Sequence, residues 1–157
     1  MDKKKYFMRE AIKASMKGMN SNAGGPFGAV IVKDGKIIAK GWNKVTSTND
    51  PTAHAEITTI RKACKKLGTF SLKGCELYTS CEPCPMCLAA IYWAGIDKIY
   101  YGNTKEDAAD IDFADDFIYK EFALPKNKRS IPMEQIDREE AIKSFEAWRK
   151  KQDKIAY

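Results

Sequence analysis

The chain has 157 residues, of which 44% are hydrophobic and 31% charged, so it is long enough for one domain with a packed core and is not a disordered protein. Its five cysteines, an odd number without an apolar leader segment, argue against a disulfide framework and predict a cytoplasmic protein. No segment is long and apolar enough for a membrane helix. The net charge of +6 is typical of solvated helix faces, and a basic surface for nucleic acid is the alternative interpretation.

The first third of the chain predicts a helix followed by a hairpin. Apolar residues at helical spacing indicate an amphipathic helix over residues 6–19. Small and β-branched residues then indicate a strand over 27–33, and Asp34-Gly35 is a typical hairpin turn before a returning strand over 36–41. This segment therefore starts an antiparallel sheet.

The middle third predicts two further helices that alternate with strands. A helix begins near residue 54 and ends at Gly68, with its apolar residues in one stripe. A strand over 76–79 leads to a helix over 85–94, which is apolar nearly all round and is therefore expected to be buried. A fourth strand over 96–101 follows, so helices are available to cover both faces of a mixed sheet.

The segment after Gly102 predicts an extension of this core. It is acidic at first, and helices are expected over 115–124 and 138–152. We expect a single domain over residues 1–157, with 108–157 as a carboxy-terminal extension, because this segment is too short to build a core of its own.

Two short motifs, H-x-E and P-C-x-x-C, carry the chemistry. The first is His54-Ala55-Glu56, and the second contains Cys84 and Cys87 at a predicted helix start. Cysteines three apart at the start of a helix project from one face, where the helix dipole favours the thiolate. His54 is the only histidine of the chain and also begins a predicted helix, so the three side chains form one candidate zinc site.

Three protein ligands indicate a catalytic zinc site, because structural zinc sites are normally closed by four. The fourth position is then free for water, whose pKa zinc lowers to about 7. Glu56 lies two residues after His54 and does not share its face on a regular helix, so we expect it to carry protons rather than to bind the metal. Taken separately, a lone histidine is more often structural, and a lone C-x-x-C is often a redox pair.

The combined pattern resembles the signature of zinc-dependent deaminases in the cytidine-deaminase superfamily. The resemblance implies an α/β fold, a three-layer α-β-α sandwich with a five-stranded mixed sheet. Four strands follow from the sequence pattern, so the fifth would lie near residues 129–137. The resemblance also implies one Zn²⁺ per subunit, held by His54, Cys84 and Cys87, with Glu56 as the proton shuttle.

Within this superfamily, the chain resembles the bacterial guanine deaminases along nearly its whole length. The zinc motifs and a G-P-F-G-A-V stretch are shared with tRNA adenosine deaminases and cover only the first two-thirds of the chain. Further residue strings carry the narrower resemblance: Asn49-Asp50-Pro51-Thr52-Ala53, Tyr78-Thr79-Ser80-Cys81-Glu82-Pro83, Ile91-Tyr92-Trp93-Ala94, Phe117-Ile118-Tyr119-Lys120-Glu121 and the terminal Tyr157.

The resemblance assigns a substrate pocket residue by residue. Asn43 would hydrogen-bond a purine, Phe27 and Trp93 would form apolar walls, and Ala55 and Tyr157 would contact the base. The family exchanges its carboxy-terminal segment between two subunits. The resemblance therefore implies a homodimer in which Tyr157 completes the pocket of the other subunit.

A carboxylate near the departing amine is also implied. Asp115 matches that position, with the adjacent Asp116 as the alternative. Ordinary structural roles are open for several of these residues: Asn43 as the start of a turn, Asp115 as a helix cap, and Phe27 and Trp93 as core residues.

The resulting hypothesis is hydrolytic deamination of guanine to xanthine and ammonia, with a small purine base rather than a membrane or a nucleic acid as the partner. A tRNA adenosine-to-inosine deaminase is the first alternative, because it shares the core and the zinc chemistry but needs an open groove for a flipped-out base. A non-catalytic, zinc-stabilised nucleic-acid-binding module is the second. It requires a fourth protein ligand, for which Cys81 is the candidate.

Overall fold

The computed structural model describes residues 2–157, and in that range it contains one sheet with helices before, between and after its strands. In chain order, the elements are α1 (Lys3–Asn20), β1 (Gly28–Lys33), β2 (Lys36–Trp42), α2 (Val45–Thr48), α3 (Ala55–Leu67), β3 (Cys75–Cys81), α4 (Pro85–Ala94), β4 (Lys98–Asn103), α5 (Lys105–Asp110), α6 (Asp116–Ala123), a short 3-10 helix (Lys126–Lys128) and α7 (Arg138–Lys150). The predicted helices and the four predicted strands all occur, with boundaries that differ by a few residues.

The sheet is mixed, with strand order β2-β1-β3-β4. Strand β1 pairs antiparallel with both β2 and β3, whereas β3 and β4 run parallel. The parallel pair is connected through α4, as parallel strands require a crossover. The predicted α/β fold class is therefore confirmed.

Strand β1 is buried on both faces and separates two apolar clusters. Alternate residues of a strand point to opposite faces of the sheet. Val30 and Val32 pack with Phe7 of α1 on one face. Ala29 and Ile31 pack with residues of α3 and α4 on the other. The result is the predicted arrangement of three layers, with α1 on one side of the sheet and α3 and α4 on the other.

The sheet of the described residues has four strands, not the five that the resemblance implies. Residues 129–137 contain no strand. The backbone amide of Ser130 donates to the side chain of Glu121, 2.8 Å away, and the guanidinium of Arg129 donates to main-chain oxygens of α6. Pro132 has no amide hydrogen to contribute to a ladder. Local bonds to α6 thus replace strand pairing in this segment.

Helix α4 is not buried all round, so that prediction is wrong. Ile91 and Ala94 lie in the core, whereas Tyr92 and Trp93 are 79% and 73% exposed. Only the side of the helix that faces the sheet is covered within one chain. A helix that is apolar all round has no periodicity to indicate which side that is.

Two compact units divide the chain, Met1–Phe117 and Ile118–Tyr157. Every buried residue of the described chain lies in the first unit. The second unit contains α7, where Phe145 and Trp148 are 71% and 46% exposed. Helix α7 thus keeps these apolar side chains exposed within one chain. No helix among residues 2–157 has the length and apolarity to cross a bilayer.

The close approach of α1 to the sheet gives a first prediction. A Cβ atom at Gly28 would lie 2.3 Å from the carbonyl oxygen of Ala11 and 2.3 Å from the amide nitrogen of Ser15, both in α1. Because both are backbone atoms, Gly28→Ala should push α1 from the sheet and lower the free energy of unfolding by about 3 kcal/mol. Urea unfolding at one fixed protein concentration measures the change.

Gly68→Ala is the matched control for this substitution. Gly68 has no neighbour within 4 Å of an added Cβ atom but a positive φ of 66°. The control should therefore lose only about 1 kcal/mol, from backbone strain. Equal losses in the two variants would contradict the tight packing of α1.

Candidate metal centre

Two helix amino termini bring the predicted ligands together. His54 is the residue before α3 and is extended there, and Cys84 occupies the same position before α4. Pro85 takes the first position of α4, where an amide hydrogen would have no partner within the helix. Each helix thus presents a predicted ligand at its positive end, where a thiolate is stabilised.

The three predicted ligands converge as a metal site requires. Nδ1 of His54 lies 3.5 Å from Sγ of Cys84 and 3.5 Å from Sγ of Cys87, and all three atoms are within 4.8 Å of one another. A tetrahedral zinc ion, with Zn–S of about 2.3 Å and Zn–N of about 2.0 Å, holds sulfur and nitrogen ligands about 3.5 Å apart. The set therefore fits zinc in both chemistry and spacing.

Hydrogen bonds among the three ligands share protons that a metal ion would displace. The bond to Cys87 lowers the pKa of Cys84, which favours its thiolate form. The same bond raises the pKa of Cys87, and the bond to Cys84 raises the pKa of His54. A cation bound here would replace those protons, because cysteine binds as thiolate and histidine as neutral imidazole.

Cys81 lies outside this ligand group. Within residues 2–157, the only group of three or more potential metal ligands is His54, Cys84 and Cys87. The thiol of Cys81 donates instead to the carbonyl oxygen of Thr104, 3.6 Å away, and burial raises its pKa to about 12. The site therefore has the three-ligand composition of catalytic zinc sites.

Glu56 lies beside the ligands without joining them. It is in the first turn of α3 and is 5% exposed. Its Oε1 accepts a hydrogen bond from the hydroxyl of Thr79 at 3.0 Å. Burial raises the pKa of Glu56, and the nearby charge of Cys84 adds to the effect. A carboxylate with a raised pKa is a stronger base than an ordinary one, which suits it to accept a proton.

Asp115 carries a buried oxygen without a partner. Among residues 2–157, its Oδ1 is the buried side-chain atom that makes no hydrogen bond. Burial and the negative charge of Cys84 raise the pKa of Asp115, so this carboxyl lies within electrostatic reach of the ligands. The adjacent Asp116 instead begins α6. A donor on a bound molecule would satisfy the oxygen of Asp115.

The predicted pocket residues Asn43 and Phe27 both have structural partners. Oδ1 of Asn43 accepts a hydrogen bond from the amide of Val45 at 3.0 Å, as a turn-forming asparagine does. The side chain of Asn43 fits only because residue 24 is glycine, since a Cβ atom on Gly24 would lie 2.1 Å from Oδ1 of Asn43. Phe27 packs edge-to-face on Phe113, with ring centroids 4.9 Å apart. The sequence did not identify Phe113 as a pocket residue. Its position just before α6 was the only feature that could have indicated it.

The other predicted contacts differ in exposure. Ala55 is the first residue of α3 and is fully buried. Trp93 lies on the exposed side of α4, and Tyr157 belongs to the second unit and is 85% exposed. Unlike Ala55, neither aromatic side chain is buried within one chain.

Comparison with known proteins supports zinc binding by His54, Cys84 and Cys87. A family profile described as the cytidine and deoxycytidylate deaminase zinc-binding region matches residues 1–103. Guanine deaminase from Bacillus subtilis (strain 168) is 54% identical over 151 residues, which is 96% of this chain and 97% of that protein. The tRNA-specific adenosine deaminase from Aquifex aeolicus (strain VF5) is 43% identical over 98 residues, 62% of this chain and 64% of that protein.

A solved structure of the same relative also matches this chain in fold. The X-ray structure of guanine deaminase from Bacillus subtilis matches with a TM-score of 0.95 at 54% identity and covers 98% of each chain. The matched profile contains all three residues of the zinc-ligand set. The chain therefore belongs to the cytidine and deoxycytidylate deaminase zinc-binding family.

Proposed function

We propose that this protein hydrolyses guanine to xanthine and ammonia in a zinc-dependent reaction. The observation that carries the proposal is the 54% identity to guanine deaminase from Bacillus subtilis over 96% of the chain, because that range extends into the second unit. The similarity to the tRNA-specific adenosine deaminase from Aquifex aeolicus spans only 62% of the chain. The higher identity over a longer part of the chain favours a free base over tRNA as the substrate.

The reaction replaces an amine by a carbonyl oxygen at carbon 2 of the purine. Water adds to that carbon, the bond from carbon 2 to the exocyclic amine breaks, and ammonia leaves. A zinc ion held by His54, Cys84 and Cys87 would activate the water as a nucleophile at neutral pH. The proton transfers of the reaction then fall to the side chains of the protein.

Glu56 is the proton carrier in this proposal. It takes one proton from the attacking water and passes it to the ring nitrogen next to carbon 2. It then takes the remaining proton of the added hydroxyl and passes it to the amine, so that ammonia leaves as the carbonyl forms. The raised pKa of the buried carboxyl supports this role, because one group must both accept and release a proton near neutral pH. The unpartnered Oδ1 of Asp115, rather than Asp116, is suited to accept a hydrogen bond from the amine.

Asn43, Phe27 and Ala55 hold the purine in this proposal. The amide oxygen of Asn43 accepts from Val45, so its nitrogen is the group that would donate to the base. Ala55 is the first residue of α3, and its backbone amide has no acceptor within the helix. The edge-to-face pair of Phe27 and Phe113 supplies an apolar surface for the ring of the base.

We further propose a cytoplasmic homodimer in which the second unit, Ile118–Tyr157, is exchanged between subunits. The expected bounds of 108–157 are narrowed to this unit, because Phe113 contacts Phe27 and the charge of Cys84 acts on Asp115 within one chain. The second unit supports this, because it has no buried residue of its own and leaves Ile136 and Phe145 more than 70% exposed. A second copy would cover these side chains and the exposed Trp93 of α4. Tyr157 would then complete the pocket of the other subunit.

Ammonia release by the zinc-loaded protein tests the proposed activity. The substrates to compare are guanine, guanosine, adenine, cytosine and a tRNA anticodon stem-loop. Turnover of guanine without turnover of the stem-loop is the expected result. Turnover of the stem-loop alone would overturn the proposal in favour of a tRNA adenosine deaminase.

A non-catalytic zinc module is the less supported reading of the same residues. It needs a fourth protein ligand to close the zinc site. The Cys81 thiol bonds to Thr104, and the described residues offer three ligands at the centre. It would also leave the buried carboxyl of Glu56 without a purpose.

Glu56→Gln separates proton transfer from metal binding. Glutamine keeps the size of the side chain and can still accept from Thr79, but it cannot carry a proton. We expect unchanged zinc content and a kcat lower by about 10²- to 10⁴-fold. Glu76→Gln is the control, since that carboxyl bonds to the hydroxyl of Tyr78 and should be dispensable for turnover. A zinc-loaded, fully active Glu56→Gln variant would refute the assigned role.

Cysteine substitutions test the composition of the metal site. Cys84→Ser and Cys87→Ser should each lose zinc during dialysis against a chelator, because serine binds zinc poorly in place of a thiolate. Cys81→Ser should keep its zinc, since that side chain bonds to Thr104. Metal analysis after dialysis measures the outcome, and zinc loss from Cys81→Ser would indicate a fourth ligand.

Mixing two inactive variants tests the exchange of the carboxy-terminal segment. Glu56→Gln and Tyr157→Ala should each have little activity as pure dimers. After subunit exchange, a mixed dimer contains one site with an intact Glu56 and an intact Tyr157 from the other chain, so ammonia release from guanine should reappear. If each tail completed its own site, no mixed dimer would hold a complete site and the activity would stay low.

A further inference from the structure

Thr79 is a buried hydroxyl residue at the centre of the sheet. It lies on β3, where its ladder partners are Ala29 of β1 and Tyr101 of β4, and it is fully buried. Leu77, on the same face of β3, belongs to the apolar cluster shared with α3 and α4. Valine has the same shape and suits a strand equally well. The hydroxyl group is therefore what distinguishes Thr79 from its apolar neighbours.

The hydroxyl of Thr79 has two oxygen partners. Oγ1 lies 3.0 Å from Oε1 of Glu56 and 2.9 Å from the main-chain oxygen of Cys81. A hydroxyl has one hydrogen, so it donates to one of these oxygens at a time. When it donates to Glu56, the carboxylate is satisfied, and when it donates to Cys81, its lone pair can accept from the carboxylic acid. The same contact therefore suits Glu56 with or without its proton.

The hydrogen bond between Thr79 and Glu56 starts from a backbone whose position is fixed. Pairing of β3 with β1 and β4 fixes the position of the Thr79 backbone. Glu56, its partner, lies in the first turn of α3. The Glu56 carboxyl also meets the side chain of the zinc ligand Cys87. It is thus held between a metal ligand and the central strand. A group that transfers protons gains most from such a fixed orientation.

We propose that Thr79 is a positioning residue, whose hydroxyl holds the Glu56 carboxyl in one orientation through both proton transfers of the reaction. Thr79 is fully buried, so it acts through Glu56 and not on the substrate. The inference rests on the proposed function, because it takes Glu56 as the proton carrier.

Thr79→Val tests the proposal, since it removes the hydroxyl and keeps the shape. We expect kcat for guanine to fall by about 10- to 100-fold, the effect of losing a hydrogen bond to a charged group, with KM changed by less than about twofold. Thr79→Ser should restore kcat to within about threefold of the parent, because serine supplies the same hydroxyl. Zinc content should be unchanged in both variants.

Thr59→Val is the matched control. Thr59 is also fully buried, but its hydroxyl bonds to the carbonyl oxygen of Ala55 in its own helix at 2.6 Å. The same substitution there removes a buried hydroxyl that makes no hydrogen bond to the Glu56 carboxyl. Turnover should stay near the parent value, even if thermal stability falls.

A crystal structure of zinc-loaded Thr79→Val supplies a readout that does not depend on activity. The Glu56 carboxyl should be displaced or occupy two conformations, while His54, Cys84 and Cys87 keep their positions. An unmoved Glu56 together with an unchanged kcat would overturn the proposal. Equal losses in Thr79→Val and Thr59→Val, or no recovery in Thr79→Ser, would overturn it too, since the role would then be structural.

The test remains decisive if Thr79→Val does not fold or if the parent protein does not act on guanine. If Thr79→Val does not fold, Thr79→Ala replaces it, with Thr79→Ser as its partner because the two differ only by the hydroxyl. If the parent protein does not act on guanine, the proposed function fails. The position of Glu56 in the variant crystal still decides whether Thr79 orients it.

Discussion

The site depends on two helices, α3 and α4, that begin close to each other on the same side of the sheet. His54 and Cys84 precede their first residues, so their separation is set by how the helices pack. Both helices contribute residues to one apolar cluster with β1 and β3, which anchors them along their length. The ligand set is therefore as rigid as the core, and a bound metal meets donors that need little rearrangement.

Burial affects the ligands and the neighbouring carboxyls in opposite ways. For Cys84, hydrogen bonding outweighs burial and lowers the pKa, which prepares a thiolate for the metal. For Glu56 and Asp115, burial dominates and raises the pKa, which suits proton exchange. One small volume thus holds an anionic ligand and carboxyls that can be neutral. That separation of roles is the pattern expected of an acid–base site.

The sequence predicted the parts of the structure that spacing and periodicity determine. Cys84 and Cys87 share a helix turn because they are three residues apart, and four strands followed from alternation and turn signals. The exposure of Trp93 could not be predicted, because α4 is apolar on every side. The prediction of a fifth strand was wrong because Ser130 and its neighbours form hydrogen bonds with α6. No local sequence pattern indicates such tertiary contacts. The contact of Phe27 with Phe113 is likewise distant in the sequence, whereas the bond from the Val45 amide to Asn43 is local and matches the turn role that the sequence left open.

The central claim is that His54, Cys84 and Cys87 hold one zinc ion and leave a coordination position for the reacting water. X-ray absorption at the zinc edge on the zinc-loaded protein tests it most directly. The account predicts two sulfur neighbours and two nitrogen or oxygen neighbours, of which only one is an imidazole. A third sulfur neighbour would bring Cys81 into the site, close it, and contradict the catalytic reading of this fold.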